Sequence, residues 1–197
     1  MFEKMTKKKS SLDFNRRRTH FEIASLKPVA ILLAEMVVVV LLAFGVVEAF
    51  GIRLTVPGES MEPTLSSGDV VLVNKLFTKI VHPGTNDVVV FLPPNNLSAQ
   101  YSIKRVVATP GDTVQIKNGK IYVDGEVFHD KAETESIVDA GLAAAEITLE
   151  ENEYFVVGDN RNNSEDSRYK TIGNIHREDI VGTAWFMVGK NRIGLVY

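Results

Sequence analysis

The chain of 197 residues contains no cysteine. That absence excludes disulfide staples, thiolate zinc sites and thiol nucleophiles together, and it fits either side of a membrane. Histidine is sparse. His20 lies in a basic N-terminal stretch, His82 and His129 beside turn or insertion residues, and His176 near a polar loop. None has a local pattern suited to a Ser–His site, and each reads as a surface side chain. Basic charge is scarce beyond Lys27. Residues 1–27 carry eight Lys/Arg against Glu3, Asp13 and Glu22, a net of +5. The remainder holds 14 basic and 22 acidic residues, a net of −8. An acidic body repels phosphates and the basic residues sit in an arm, so nucleic acid is not an expected partner. At 45% hydrophobic and 24% charged, the composition excludes a disordered chain and a polytopic membrane protein.

What the chain does have is one long apolar run. Val29 to Val47 is 19 residues with a single charge, Glu35. About 20 apolar residues match the hydrocarbon thickness of a bilayer. A buried core element and a cleavable signal peptide ending near Val47-Glu48-Ala49 are the alternatives. The arm is long for a signal peptide, and the run exceeds an h-region of roughly 7–15 residues. The expectation is an uncleaved transmembrane anchor over 28–50. Glu35 costs about 2.5–3.5 kcal/mol if central and charged. The positive-inside rule keeps residues 1–27 in the cytoplasm and puts 51–197 outside, in a single-pass plasma-membrane protein.

The outside part reads as mainly β, an antiparallel sandwich or open barrel. β-Branched runs recur at 69–74, 87–92, 103–108, 113–116, 120–123, 154–157 and 180–188. Turn signals separate them: Ser67-Gly68-Asp69, Pro83-Gly84, Pro93-Pro94-Asn95-Asn96, Pro110-Gly111-Asp112, Asn118-Gly119 and Asp124-Gly125. Asn118-Gly119 predicts a type I′ hairpin. The acidic, Ala-rich stretch 131–153 reads as a short helix or a mobile insertion.

Three segments carry candidate chemistry. In Pro57-Gly58-Glu59-Ser60-Met61-Glu62-Pro63-Thr64-Leu65 a serine on a stiffened turn is a nucleophile if a base lies near, and otherwise part of a plain turn. In Tyr101-Ser102-Ile103-Lys104-Arg105-Val106-Val107, strand alternation puts Lys104 on the face of Ser102 and Val106, with Arg105 on the other. A buried Lys has a lowered pKa and serves as a base, whereas a Lys on an exposed strand snorkels. The third, Gly158-Asp159-Asn160-Arg161-Asn162-Asn163-Ser164-Glu165-Asp166-Ser167-Arg168, has no apolar side chain. It reads as a site-supporting loop with Asp–Arg pairs, or as a solvated turn. A calcium loop fits poorly, because Arg161 and Ser164 stand where the EF-hand spacing needs Asp/Asn and Gly.

Taken together, PGESMEPTL, GDVVLVNK, YSIKRVVATPGD and GDNRNNSEDSR, in that order after a single anchor, resemble the bacterial type I signal peptidases of Gram-positive style. These are membrane-anchored serine proteases with a Ser–Lys dyad. The resemblance implies Ser60 as nucleophile and Lys104 as general base. It implies that Ser164 orients the Lys104 amine, that Asp166 and Arg168 form a supporting ion pair, and that the Ser60 N–H donates to the oxyanion. Relatives often carry a hydroxyl residue two positions before the nucleophile, where this chain has Gly58. Substrate would bind as an added strand beside Val56 and Gln100, Tyr101 and Ser102. Shallow pockets from Val56, Met61, Leu65 and Ile103 would take the Ala-like side chains the family selects at −1 and −3. The implied partners are signal peptides of exported preproteins and the lipid bilayer, with no cofactor and no metal. No sequence signal specifies an oligomer. The competing readings are a dedicated pilin-type processing or assembly factor and a non-catalytic, membrane-anchored β-rich binding module. A self-cleaving LexA-like repressor would share the dyad but lacks an anchor and needs a DNA-binding segment.

Overall fold

The computed structural model describes residues 27–50, 52–93, 100–190 and 192–196. The basic arm to residue 26, His20 and the turn residues 94–96 lie outside them. The chain divides into two units, one running to Leu42 and the other from Ala43 onward.

The apolar run forms one helix, α1 (Lys27–Phe50). Its side chains from Lys27 to Gly45 are all exposed. The helix is long and apolar enough to cross a membrane.

The second unit is antiparallel β. In chain order its strands are β1 (Ile52–Thr55), β2 (Val70–Asn74), β3 (Val88–Phe91), β4 (Ser102–Ala108), β5 (Thr113–Lys117), β6 (Lys120–Val123), β7 (Glu126–Val127), β8 (Ile147–Thr148), β9 (Glu153–Val157), β10 (Ile175–His176), β11 (Ile180–Val188) and β12 (Ile193–Leu195). The larger sheet runs β1-β2-β11-β3-β4-β9-β10, with β12 added to β11, and the smaller runs β7-β6-β5-β8. A six-residue helix, α2 (Lys75–Ile80), follows β2.

The turn chemistry explains the small sheet. Asn118 and Gly119 both have positive φ, 52° and 73°, between the paired residues Lys117 and Lys120. A type I′ turn requires that at both central positions, and its twist matches the strands it joins. Asp124 and Gly125 (51° and 79°) repeat the device between β6 and β7.

Strand β4 organises the unit. Every residue from Ile103 to Ala108 is buried, so both faces are covered and neither is solvated. Ile103 belongs to a core built with Val56, Met61, Leu65, Val71, Val73 and Val90. Val106 joins a second core with Phe91, Tyr154 and Ile175, and Val107 and Ala108 join a third under the small sheet. A Lys and an Arg carried on such a strand are buried with it.

The stretch 131–153 holds a 3₁₀ turn (Gly141–Ala144) and strand β8. It is packed, not loose: Ile137, Ala143 and Leu149 bury into the third core.

Candidate active site

Ser60 is placed by the residues around it. Val56 N donates to Asp69 O (2.8 Å) and Gly68 N to Val56 O (3.0 Å), closing the loop after β1. Within it Leu65 N donates to Met61 O (2.8 Å), one helical turn. Met61 and Leu65, four residues apart, share a face and are almost wholly buried. Arg192 fastens the turn from outside through Pro63 O (2.7 Å) and Thr64 O (2.6 Å). With that face anchored, Ser60 remains half-buried beside a cleft.

Lys104 reaches it from β4. Its Nζ lies 2.8 Å from Ser60 Oγ and donates a hydrogen bond to it. The side chain is 6% exposed. Burial lowers its pKa from 10.5 to about 8, against the opposing pull of Asp166, Glu165 and Asp159. An ordinary lysine is neutral in about one molecule in 3,000 at pH 7; with a pKa near 8 the share rises to about one in ten. A neutral amine at this distance can take the hydroxyl proton as the oxygen attacks.

The polar loop Gly158–Arg168 is almost fully committed to internal contacts. Asp166 accepts from Arg168 Nε and Nη2 (both 2.8 Å), from Gly158 N (3.0 Å) and from Ser164 Oγ (2.8 Å). The Ser164 hydroxyl is thereby oriented by Asp166, the acid with the largest pull on the Lys104 amine. Arg168 Nη2 also donates to Arg161 O (2.7 Å), and Arg168 Nη1 to Asp139 O (3.2 Å). Leu142 N returns a bond to Arg168 O (2.8 Å), so the 131–153 stretch braces this pair. The loop touches the serine directly: Asn160 N donates to Ser60 O (3.1 Å) and Asn160 Nδ2 to Glu59 O (3.2 Å). A Cβ on Gly158 would collide with Ser60 O and Ser164 Oγ, so only glycine permits this approach.

One buried pair was not among the sequence candidates. Arg105, fully buried, donates from Nε (2.8 Å) and Nη2 (2.7 Å) to the two oxygens of Asp159. Thr64 Oγ1 donates to the same carboxylate, and Arg105 Nη1 reaches Asn86 O (2.8 Å). Residues from all three sequence segments therefore meet behind the dyad. The available signal was an arginine inside an apolar strand; its partner stands 54 residues away.

The cleft at Ser60 has a volume of about 230 Å³. Val56, Met61, Gln100, Tyr101, Ser102 and Ile103 line it together with Pro57, Gly58, Ser60 and Lys104. Leu65 does not line it; the residue is wholly buried in the core below. A larger hollow of about 750 Å³ lies between Pro110 and His176, but its lining offers neither hydroxyl nor amine side chains. His82, His129 and His176 are exposed.

Residues 29–189 match the family model described as signal peptidase, peptidase S26. A probable signal peptidase I-1 from Synechocystis sp. is 36% identical over 164 residues, covering 80% of this chain and 79% of its own. Signal peptidase I P from Bacillus subtilis subsp. natto is 36% identical over 134 residues, 64% of this chain and 71% of its own. A crystal structure of a signal peptidase I from Enterococcus faecalis V583 aligns with 52% of this chain and 97% of that one, at 27% identity and a TM-score of 0.41. With the family model spanning most of its length and relatives of this identity on either side, the chain belongs to the signal peptidase family, peptidase S26.

Proposed function

We propose that the chain is a membrane-anchored serine endopeptidase that removes N-terminal signal peptides from exported preproteins, with Ser60 as nucleophile and Lys104 as general base. The observation that carries the reading is the 2.8 Å contact between a cleft hydroxyl and a buried amine of lowered pKa.

Substrate enters extended, as a strand laid between Val56–Gly58 and Gln100–Ser102, and its main chain supplies most of the binding. The small cleft suits short side chains on either side of the scissile bond. Neutral Lys104 accepts the Ser60 proton as Oγ attacks the scissile carbonyl carbon. The Ser60 N–H donates to the developing oxyanion; Gly58 has no side chain to add a second donor. The ammonium of Lys104 returns its proton to the leaving amine, and the mature protein departs. Lys104, neutral again, then deprotonates a water that hydrolyses the acyl-enzyme. Asp166–Arg168 and Arg105–Asp159 act by position, holding the loop and strand that set the Ser60–Lys104 distance.

α1 is the single-pass anchor. An exposed apolar helix of this length needs lipid around it. The +5 arm keeps the N-terminus cytoplasmic and leaves the site on the outer face. Ser60 lies about ten residues past the anchor, so the enzyme meets the bond where a signal peptide leaves the bilayer.

The test is preprotein cleavage by the full chain in vesicles. Ser60→Ala and Lys104→Ala should each lose activity by roughly 10⁴-fold or more while keeping the wild-type circular dichroism spectrum. Wild-type cleavage by either folded variant refutes the dyad.

A further inference from the structure

The stretch 131–153 lines no part of the cleft, yet one of its turns is fitted closely to the polar loop. The sequence Asp139-Ala140-Gly141-Leu142-Ala143 carries a turn signal in a run without helical or strand period. Ala143 is wholly buried in the third core and pins the turn from below. Asp139 closes it from above: its Oδ1 accepts from Gly141 N (2.9 Å) and its Oδ2 from Tyr169 Oη (3.3 Å). Gly141 stands at φ +51°, where glycine and asparagine are favoured.

The turn grips Arg168 at both ends. Leu142 N donates to Arg168 O (2.8 Å), and Arg168 Nη1 donates to Asp139 O (3.2 Å). Gly141 lies between these contacts. A Cβ there would collide with Arg168 O and crowd Arg168 Cβ (3.1 Å). The obstacle is main chain, which cannot rotate aside as the end of a flexible side chain does. Any side chain at 141 therefore displaces Arg168.

Arg168 leads to the dyad. Its Nε and Nη2 engage both oxygens of Asp166 (2.8 Å each), and Asp166 is the acid with the largest pull on the Lys104 amine. Four charged groups act on that amine. Asp166, Glu165 and Asp159 favour its protonation, and Arg168 opposes it. Glu165 is bonded to Thr171 and Asp159 to Arg105, whereas Arg168 is held by the turn. Moving Arg168 away weakens two charge-assisted hydrogen bonds and leaves more of the Asp166 charge facing the amine.

We propose that Gly141 is a positioning residue for Lys104 that acts through Arg168: its turn seats the guanidinium on Asp166 and so limits the hold of that carboxylate on the Lys104 proton. This rests on the reading of Lys104 as the base. Its consequence is that a turn outside all three motif segments sets the pH range in which the enzyme works.

Two variants test it. Gly141→Asn is the sharper, because asparagine tolerates positive φ and the added side chain is then the main change. Asp139→Ala is the gentler: the residue is exposed, and its loss loosens the turn without adding a clash. Each full-length protein, labelled at lysine ¹³Cε and held in detergent micelles, is read by the Lys104 titration and by the pH profile of preprotein cleavage. Circular dichroism checks the fold. In Gly141→Asn the Lys104 midpoint should rise from about 8 to roughly 9, and cleavage at pH 7 should fall about tenfold and recover near pH 10. Asp139→Ala should move both readings the same way, by about threefold at pH 7. The sign is diagnostic there, since removing a negative charge by itself lowers the midpoint. A midpoint that stays near 8 in folded Gly141→Asn overturns the proposal, including where cleavage falls equally at every pH, the mark of a loosened loop alone. If Gly141→Asn does not fold, Asp139→Ala decides, and an unchanged or lowered midpoint overturns the proposal. A raised midpoint with an unmoved cleavage profile leaves Gly141 as a positioning residue and overturns Lys104 as the base.

Discussion

Lys104 and Arg105 are consecutive residues of β4, at 6% and 0% exposure, and their surroundings treat a buried cation in opposite ways. Arg105 meets a carboxylate in bidentate geometry, with Asn86 O and Thr64 filling the remaining contacts. Lys104 meets a hydroxyl. Of the three acids that pull on its charge, Asp166 is held by Arg168 and Asp159 by Arg105, while Glu165 accepts from Thr171 Oγ1 (2.6 Å). Desolvation therefore outweighs attraction at the lysine, and its pKa falls. Side-chain alternation puts the two on opposite faces of one strand, so the same backbone serves a permanently charged tether and an amine that must be neutral to act as the proposed base. A carboxylate beside Lys104, free of its arginine, would hold the amine protonated. The arginines of the loop and strand thus hold two of the three acids, and burial outweighs the pull that all three exert.

Substitutions can break this comparison from either side. The largest effect is loss of the dyad itself, in Ser60→Ala or Lys104→Ala. Next is Asp159→Ala, which leaves Arg105 buried without its carboxylate. It should destabilise the domain by about 3–5 kcal/mol in urea unfolding, with cleavage reduced through displacement of Thr64 and Asn160. A loss below about 1 kcal/mol would mean that the pair is not a tether. Gly158→Ala comes next. The new methyl group pushes against Ser60 O, and kcat should fall by about 10²-fold through misplacement of Ser60, while Tm moves little by comparison. Unchanged kcat would show that the loop and the serine turn are not rigidly coupled.

The fourth variant has the opposite sign to Asp159→Ala. Lys104→Met should abolish activity and stabilise the domain at pH 7, by up to about 3 kcal/mol, because a charged amine no longer has to be buried. The folded-state pKa of Lys104, about 8, lies below the unfolded value near 10.5. The burden on stability is therefore full below pH 8 and is relieved as pH rises toward 10.5. The gap between variant and wild type should narrow over that window in paired thermal melts. A gap that is constant or widens would contradict desolvation as the cause.

The strands were legible because their β-branched runs end at turn residues with specific backbone needs. All seven expected runs are strands, and Asn118-Gly119 sits where a type I′ turn demands it. β1 was missed because Ile52–Thr55 follows the apolar helix after a single residue and carries no turn signal of its own. α2 was missed because six residues are too few to display a helical period. Ser60 and Lys104, each compatible alone with a plain turn and an exposed strand, stood out only through the order of the three segments and the family resemblance. The Arg105–Asp159 pair did not, since its partners are brought together only by the tertiary fold. The bond from Ser164 to Asp166 is a contact within one turn that residue types alone do not specify. The packing of 131–153 depends on three isolated apolar residues, Ile137, Ala143 and Leu149, whose spacing follows neither strand nor helix.

The central claim is that burial outweighs the pull of Asp166, Glu165 and Asp159 and fits Lys104 for the proposed role of base near neutral pH. Its most direct test is the titration of the Lys104 side chain by NMR in protein labelled at lysine ¹³Cε, assigned by its absence in Lys104→Met. A midpoint near pH 8 is the predicted result. A midpoint near 10.5, with the exposed lysines, would contradict it.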